Sequence, residues 1–239
     1  MSTIEVKNLC LEMSGHKILN DISFELQKGD CLGLIGPAGS GKTMLLEVMA
    51  TFVKPTSGKV EIGGYDVVKQ KKQVRQSIGY VPDKFDGYDE LLVQEYLNLF
   101  ASAYHIRRAQ RTQLIADSLE LGGLAEYHDK YLYELSKGEK QRLCFVKSIL
   151  HDPLVFLLDT PTLWMDFSRQ EEFANLIREL ASVQKTIIAV SDNPNGMEKF
   201  CNKMGLLEKG ELILFGSVTD VIRQIGRRVK TQEGTEEKE

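Results

Sequence analysis

Two short segments carry residue types at spacings that could do phosphate chemistry. Gly36-Pro37-Ala38-Gly39-Ser40-Gly41-Lys42-Thr43 fits the pattern GxxxxGK[ST]. Its glycines would let the backbone close around phosphate oxygens where a Cβ would collide. The pattern assigns Lys42 to the β- and γ-phosphates and the Thr43 hydroxyl to Mg²⁺, with Met44 adjoining the nucleotide. The second segment, Leu154-Val155-Phe156-Leu157-Leu158-Asp159, is an apolar run ending in a carboxylate. Such a run reads as a buried parallel strand, and ligands of open α/β sheets gather at the carboxyl ends of strands. Asp159 is then placed to hold a metal's water shell beside the phosphates. The competing readings are a bare glycine turn and a strand-end turn former, and the pairing of the two segments outweighs both.

A third segment, Leu135-Ser136-Lys137-Gly138-Glu139-Lys140-Gln141-Arg142, opens a helical pattern. Ser136 and Glu139 form S-x-x-E, a capping box. A well-capped helix is the plain reading. The same helix start, with its serine and glycine, could also offer donors to an anion.

The elements around these segments define the fold class. The apolar run Cys31–Ile35 precedes the glycine-rich loop, and helical periodicity follows it over 42–53. This strand–loop–helix order aims backbone N–H groups and a positive helix end at an anion. Further strand-like runs stand at 4–9, 22–26, 59–63, 77–81, 154–159 and 186–190, with a hairpin around Lys209-Gly210. Helical patterns stand at 93–104, 108–121, 138–151, 168–183 and 217–225. The alternation predicts an α/β protein with a mainly parallel sheet, and the early cluster of strands predicts an antiparallel β layer beside it. A nearly all-helical stretch at about 84–149 predicts an inserted helical subdomain. Residues 1–225 are expected to form one domain, and the charged stretch 226–239 an irregular, solvated tail.

Composition narrows the partners. The chain of 239 residues is 42% hydrophobic and 27% charged, with a formal net charge of −4, an ordinary globular balance. No basic stripe points to nucleic acid. The cysteines Cys10, Cys31, Cys144 and Cys201 form no CxxC pair, which fits reduced thiols in a cytoplasmic protein. The first residues, MSTIEVKNL, lack the pattern of a secretory leader. No apolar run approaches the roughly 20 residues of a membrane span, so a membrane role is expected to run through partner subunits rather than direct insertion.

Taken together, the motifs resemble those of ATP-binding cassette (ABC) ATPases over residues 1 to about 225. Leu135 to Arg142 looks like the family signature, usually LSGGQ followed by QR, and Asp159-Thr160-Pro161-Thr162 looks like the segment that normally reads DEPT. The stretch SIGYVPDKFDGYDELLVQEYL is similar to cassettes serving exporters with separate membrane subunits. The resemblance implies ATP and Mg²⁺ as cofactors. It also implies a head-to-tail pair of cassettes in which Ser136, Lys137, Gly138 and Glu139 face the partner's ATP. Membrane transport subunits would complete the assembly, with this chain peripheral at the inner face of a membrane. Aromatics in 84–121 (Phe85, Tyr88, Tyr96, Phe100, Tyr104) would serve docking or simply fill the helical subdomain.

Four positions depart from the family pattern at the nucleotide site, and a fifth departs in the segment after it. Thr160 stands where the family carries the glutamate that polarises water, and Asp192 stands at the switch histidine. Asp83 replaces the glutamine that helps hold the metal, and Met13 takes the place of the aromatic that stacks on adenine. Trp164 stands where a small glycine usually precedes Asp166. These departures imply no intact catalytic residue at the chain's own site and favour a heterodimer with an intact second cassette over a homodimer. The alternatives are a regulatory module that clamps on ATP with little turnover, and a soluble cassette without a membrane partner.

Overall fold

The computed structural model describes residues 2–85, 88–160, 167–193 and 196–236. Its central sheet has six strands: β3 (Cys31–Ile35), β6 (Ile78–Val81), β7 (Val155–Asp159), β8 (Thr186–Ser191), β9 (Lys203–Glu208) and β10 (Glu211–Ser217). They lie in the order β10-β9-β3-β8-β7-β6, all parallel except β10, which returns antiparallel beside β9. A second, antiparallel sheet is built from β1 (Ile4–Met13), β2 (His16–Leu26), β4 (Ser57–Ile62) and β5 (Tyr65–Asp66), in the order β2-β1-β4-β5.

The central strands are apolar throughout because both their faces are covered. Leu32, Leu34, Val155, Leu157, Ile188 and Val190 pack toward helix α1 (Lys42–Met49) and the antiparallel sheet. The alternate residues Cys31, Ile35, Phe156, Leu158, Ile187 and Ala189 pack with Phe173 and Ile177 of helix α6 (Phe167–Ser182). A third cluster holds helices α3 (Val93–Ala103), α4 (Arg108–Leu121) and α5 (Lys137–Ile149) together through Tyr96, Leu97, Ile115, Leu119, Leu143 and Val146. This is the expected helical insertion.

Three expectations need correction. The first helix stops at Met49 instead of residue 53, because Thr51 adopts a left-handed backbone with φ 67°. Helix α2 (Lys71–Ser77) and strand β5 escaped the sequence reading: α2 buries only Val74 and Ser77, so no apolar period marks it. Helix α7 (Val218–Glu236) continues through most of the stretch expected to be irregular. Its start is anchored by buried Val221, and its later Arg, Lys, Gln and Glu residues are good helix formers that extend a helix once begun.

Candidate functional site

The loop after β3 is shaped by what its glycines approach. A Cβ on Gly36 would lie 2.0 Å from the Leu207 carbonyl oxygen of the neighbouring strand, so only glycine fits. Gly41 has φ 103°, and its Cβ would meet Leu19 at 2.8 Å. The loop closes through Ser40 N–H donating to the Pro37 carbonyl at 3.1 Å, and Gly210 N–H donating to the Ser40 carbonyl at 3.1 Å. Helix α1 starts at Lys42, so its first free N–H groups open into the loop. The Lys42 ammonium donates to the Gly36 carbonyl (2.8 Å), the Pro37 carbonyl (2.9 Å) and Ser40 Oγ (3.1 Å).

Asp159 closes β7 one strand beyond β8, at the same edge of the sheet. Its side chain is buried, and burial above all lifts its pKa from 3.8 to about 6, against a hydrogen bond from Thr43 and the charge of Lys42. Its Oδ2 is buried with no hydrogen-bond partner. An orphaned carboxylate oxygen beside the Thr43 hydroxyl and a phosphate loop suits a hard divalent cation. Among the described residues no cluster of three or more His, Cys, Asp or Glu could hold an ion by itself. Phosphate and water oxygens would have to complete the shell around Thr43 and Asp159.

Thr160 Oγ1 donates to Asp83 Oδ1 at 2.5 Å, which brings two of the departing positions into contact. The β-branched Thr160 is held at φ 43°, an uncommon backbone region for its type. Asp192 follows the last residue of β8, whose register sets Ser191 opposite Ile35. The carboxylate therefore stands abreast of Gly36, and it reaches Lys42 Nζ at 2.8 Å.

These residues line one cleft of about 400 Å³: Ala38, Gly39, Gly41, Lys42, Thr43, Met44, Asp83, Asp159, Thr160 and Asp192, with Ile18. Of the sequence-predicted nucleotide and metal residues, Ala38, Gly39, Gly41, Lys42, Thr43, Met44, Asp83 and Asp159 line this cleft, while Gly36, Pro37 and Ser40 belong to the same loop outside the lining. Met13 is outside that lining, at the β1–β2 hairpin, where it pairs with His16 and is 45% exposed. Ile18 was missed, because an apolar residue in a strand gives no sign of facing a ligand.

The signature segment behaves as its capping box predicts. Ser136 caps α5, accepting from Glu139 N–H at 3.3 Å, while Ser136 N–H donates to the Glu139 carboxylate at 2.7 Å. Tyr127 OH also donates to Glu139, at 2.6 Å. Burial pushes the Glu139 pKa up, but the hydrogen bonds from Tyr127 and Ser136 outweigh it and hold the carboxyl below its ordinary range. Ser136 and Lys137 are exposed and Gly138 is half-buried, so the helix start faces outward. Gln141, read in the sequence only as part of the signature stretch, donates to the Pro82 carbonyl at 2.8 Å and ties this helix to the segment bearing Asp83.

The aromatics proposed for docking mostly fill the interior instead. Tyr96 is buried, Phe85 and Phe100 pack against the helical cluster, and Tyr104 stacks on His151; Tyr88 remains exposed. Trp164 and Asp166 lie outside the described residues. No helix among the described residues is long and apolar enough to cross a membrane.

Comparison with known proteins agrees with this fold. The ABC transporter family pattern matches residues 19–163. The chain is 30% identical over 203 residues to the ABC transporter ATP-binding protein NatA of Bacillus subtilis, covering 84% of this chain and 82% of that protein. It is 28% identical to the linearmycin resistance ATP-binding protein LnrL of the same organism, covering 93% and 72%. The Nod factor export ATP-binding protein I of Burkholderia orbicola is 29% identical, with 91% and 71% covered. Among solved structures, an ATP-binding subunit of an ABC transporter superposes with a TM-score of 0.86 at 25% identity, covering 94% of each chain. The dimeric cassette MJ0796 bound to ADP and Pi shares the fold, with a TM-score of 0.82 at 23% identity over 90% of this chain and 98% of that one.

Proposed function

The chain belongs to the ATP-binding subunits of ABC transporters, and from that premise we propose that its own site holds Mg-ATP but hydrolyses it slowly or not at all. The contact between Thr160 and Asp83 supports this reading most directly. A threonine hydroxyl is no base near neutral pH, and here its proton is already committed to a neighbouring carboxylate. General-base help contributes about 10²–10⁴ in rate, or roughly 3–5 kcal/mol of barrier. Binding rests on other groups: the loop amides, Lys42, and Thr43 with Asp159 for the ion.

In this reading the outward-facing start of α5, with Ser136 and Gly138, completes the ATP site of a second cassette. A partner carrying glutamate at the position of Thr160 would supply the working site, which favours a heterodimer. Export is the proposed direction, following relatives named for linearmycin resistance and Nod factor export. Separate membrane subunits would carry the cargo, with this chain peripheral at the inner face. Co-expression with a candidate partner cassette tests the arrangement. The pair should hydrolyse ATP, and removing the partner's glutamate should stop it. Equal turnover by this chain alone would overturn the reading.

A further inference from the structure

The ion pair between Lys42 and Asp192 carries a consequence for which nucleotide the loop prefers. Parallel pairing of β3 with β8 puts residue 192 level with the first residue of the phosphate loop, so the contact follows from strand register. Lys42 is only 6% exposed, and its three N–H donors already face four acceptors: two loop carbonyls, Ser40 Oγ and the Asp192 carboxylate. Of these four acceptors, Asp192 alone carries charge. It is 57% exposed and lines the same cleft as Lys42.

We infer that Asp192 is a specificity-determining residue, standing in for a terminal phosphate on Lys42 and biasing the loop toward nucleoside diphosphates over triphosphates. A diphosphate brings only its β-phosphate to the ammonium, so less negative charge confronts the carboxylate. A triphosphate brings further negative charge to the same ammonium, so Asp192 must swing away or endure repulsion at close range. A neutral side chain at 192 would impose neither cost. The loop lysine thus changes partners whenever the triphosphate binds. This inference rests on the nucleotide-binding reading above.

The test compares equilibrium affinities of the full chain for Mg-ADP and for a Mg-bound, non-hydrolysable β,γ-imido ATP analogue, by calorimetry. Asp192→Asn should tighten the triphosphate analogue by about tenfold and ADP by no more than about twofold. Asp192→Glu keeps the charge and should retain the wild-type preference. Raising the salt concentration should narrow the wild-type gap, because the carboxylate is exposed to counterions. An unchanged ratio of the two affinities in Asp192→Asn overturns this inference and leaves nucleotide binding standing. Loss of both nucleotides in that variant overturns it too, because the carboxylate would then be assisting binding. Wild-type protein that binds neither nucleotide overturns the nucleotide-binding reading itself.

Discussion

The turn after β3 and the turns after β7 and β8 share one edge of the central sheet, but they are built on different principles. The first grips with backbone, and its shape is locked by packing: Gly36 lies against the Leu207 carbonyl and Gly41 against Leu19. Any Cβ at Gly36 would force two core strands apart. After β7 and β8 the described residues that reach the cleft do so through side chains, half-buried Thr160 and exposed Asp192. Neither side chain belongs to the buried core, so substitutions at 160 or 192 are expected to leave the strands beneath in place. A nucleotide grip is therefore tied to the stability of the fold, whereas the apparatus for activating water can be exchanged without unfolding anything.

The largest effect that could break this contrast lies at residue 160. In a pair whose partner cassette has lost its own glutamate, Thr160→Glu should raise the hydrolysis rate by about 10²-fold or more if a missing base is the main defect. Steady-state phosphate release measures it, and an unchanged rate would shift the blame to Asp192 or Asp83.

Next comes Asp159, the buried carboxylate between the two kinds of turn. Its pKa is about 6 in the folded chain against an ordinary 3.8, so its charged form costs stability. Metal-free wild type should lose stability as pH rises from about 4 to about 6 and stay lower above that. Asp159→Asn should remove the loss, gaining about 1–2 kcal/mol at pH 7.5 and almost nothing at pH 4. Urea unfolding at the two pH values measures the difference. A gain of the same size at both would contradict the burial argument. The smallest effect belongs to the outward helix start: Ser136→Ala should cost about 1 kcal/mol through the lost cap. Thermal unfolding reads that cost directly.

Much of this was legible in the chain itself, and the reasons differ from one segment to the next. The phosphate loop could be read because its steric demand writes glycine at fixed positions and its chemistry writes Lys42 and Thr43. β7 and β8 could be read because burial on both faces leaves an unbroken apolar run. The capping box at Ser136 and Glu139 is a local rule and survives intact. Helix α2 could not be read, since it lies on the surface with a single apolar contact at Val74. The long α7 stayed hidden because the charged sequence after Gly226 carries no apolar period to mark it. Register explains what remained: the Lys42–Asp192 and Thr160–Asp83 contacts join residues 150 and 77 positions apart, and only strand order brings them together.

Retention of labelled nucleotide, followed by analysis of its chemical form, tests the central claim most directly. Purified chain incubated with Mg²⁺ and γ-labelled ATP should retain intact triphosphate on a filter, and Lys42→Ala should retain almost none. Failure to retain nucleotide would contradict the assigned grip. Rapid catalytic release of labelled phosphate by the chain alone would contradict the assigned loss of water activation.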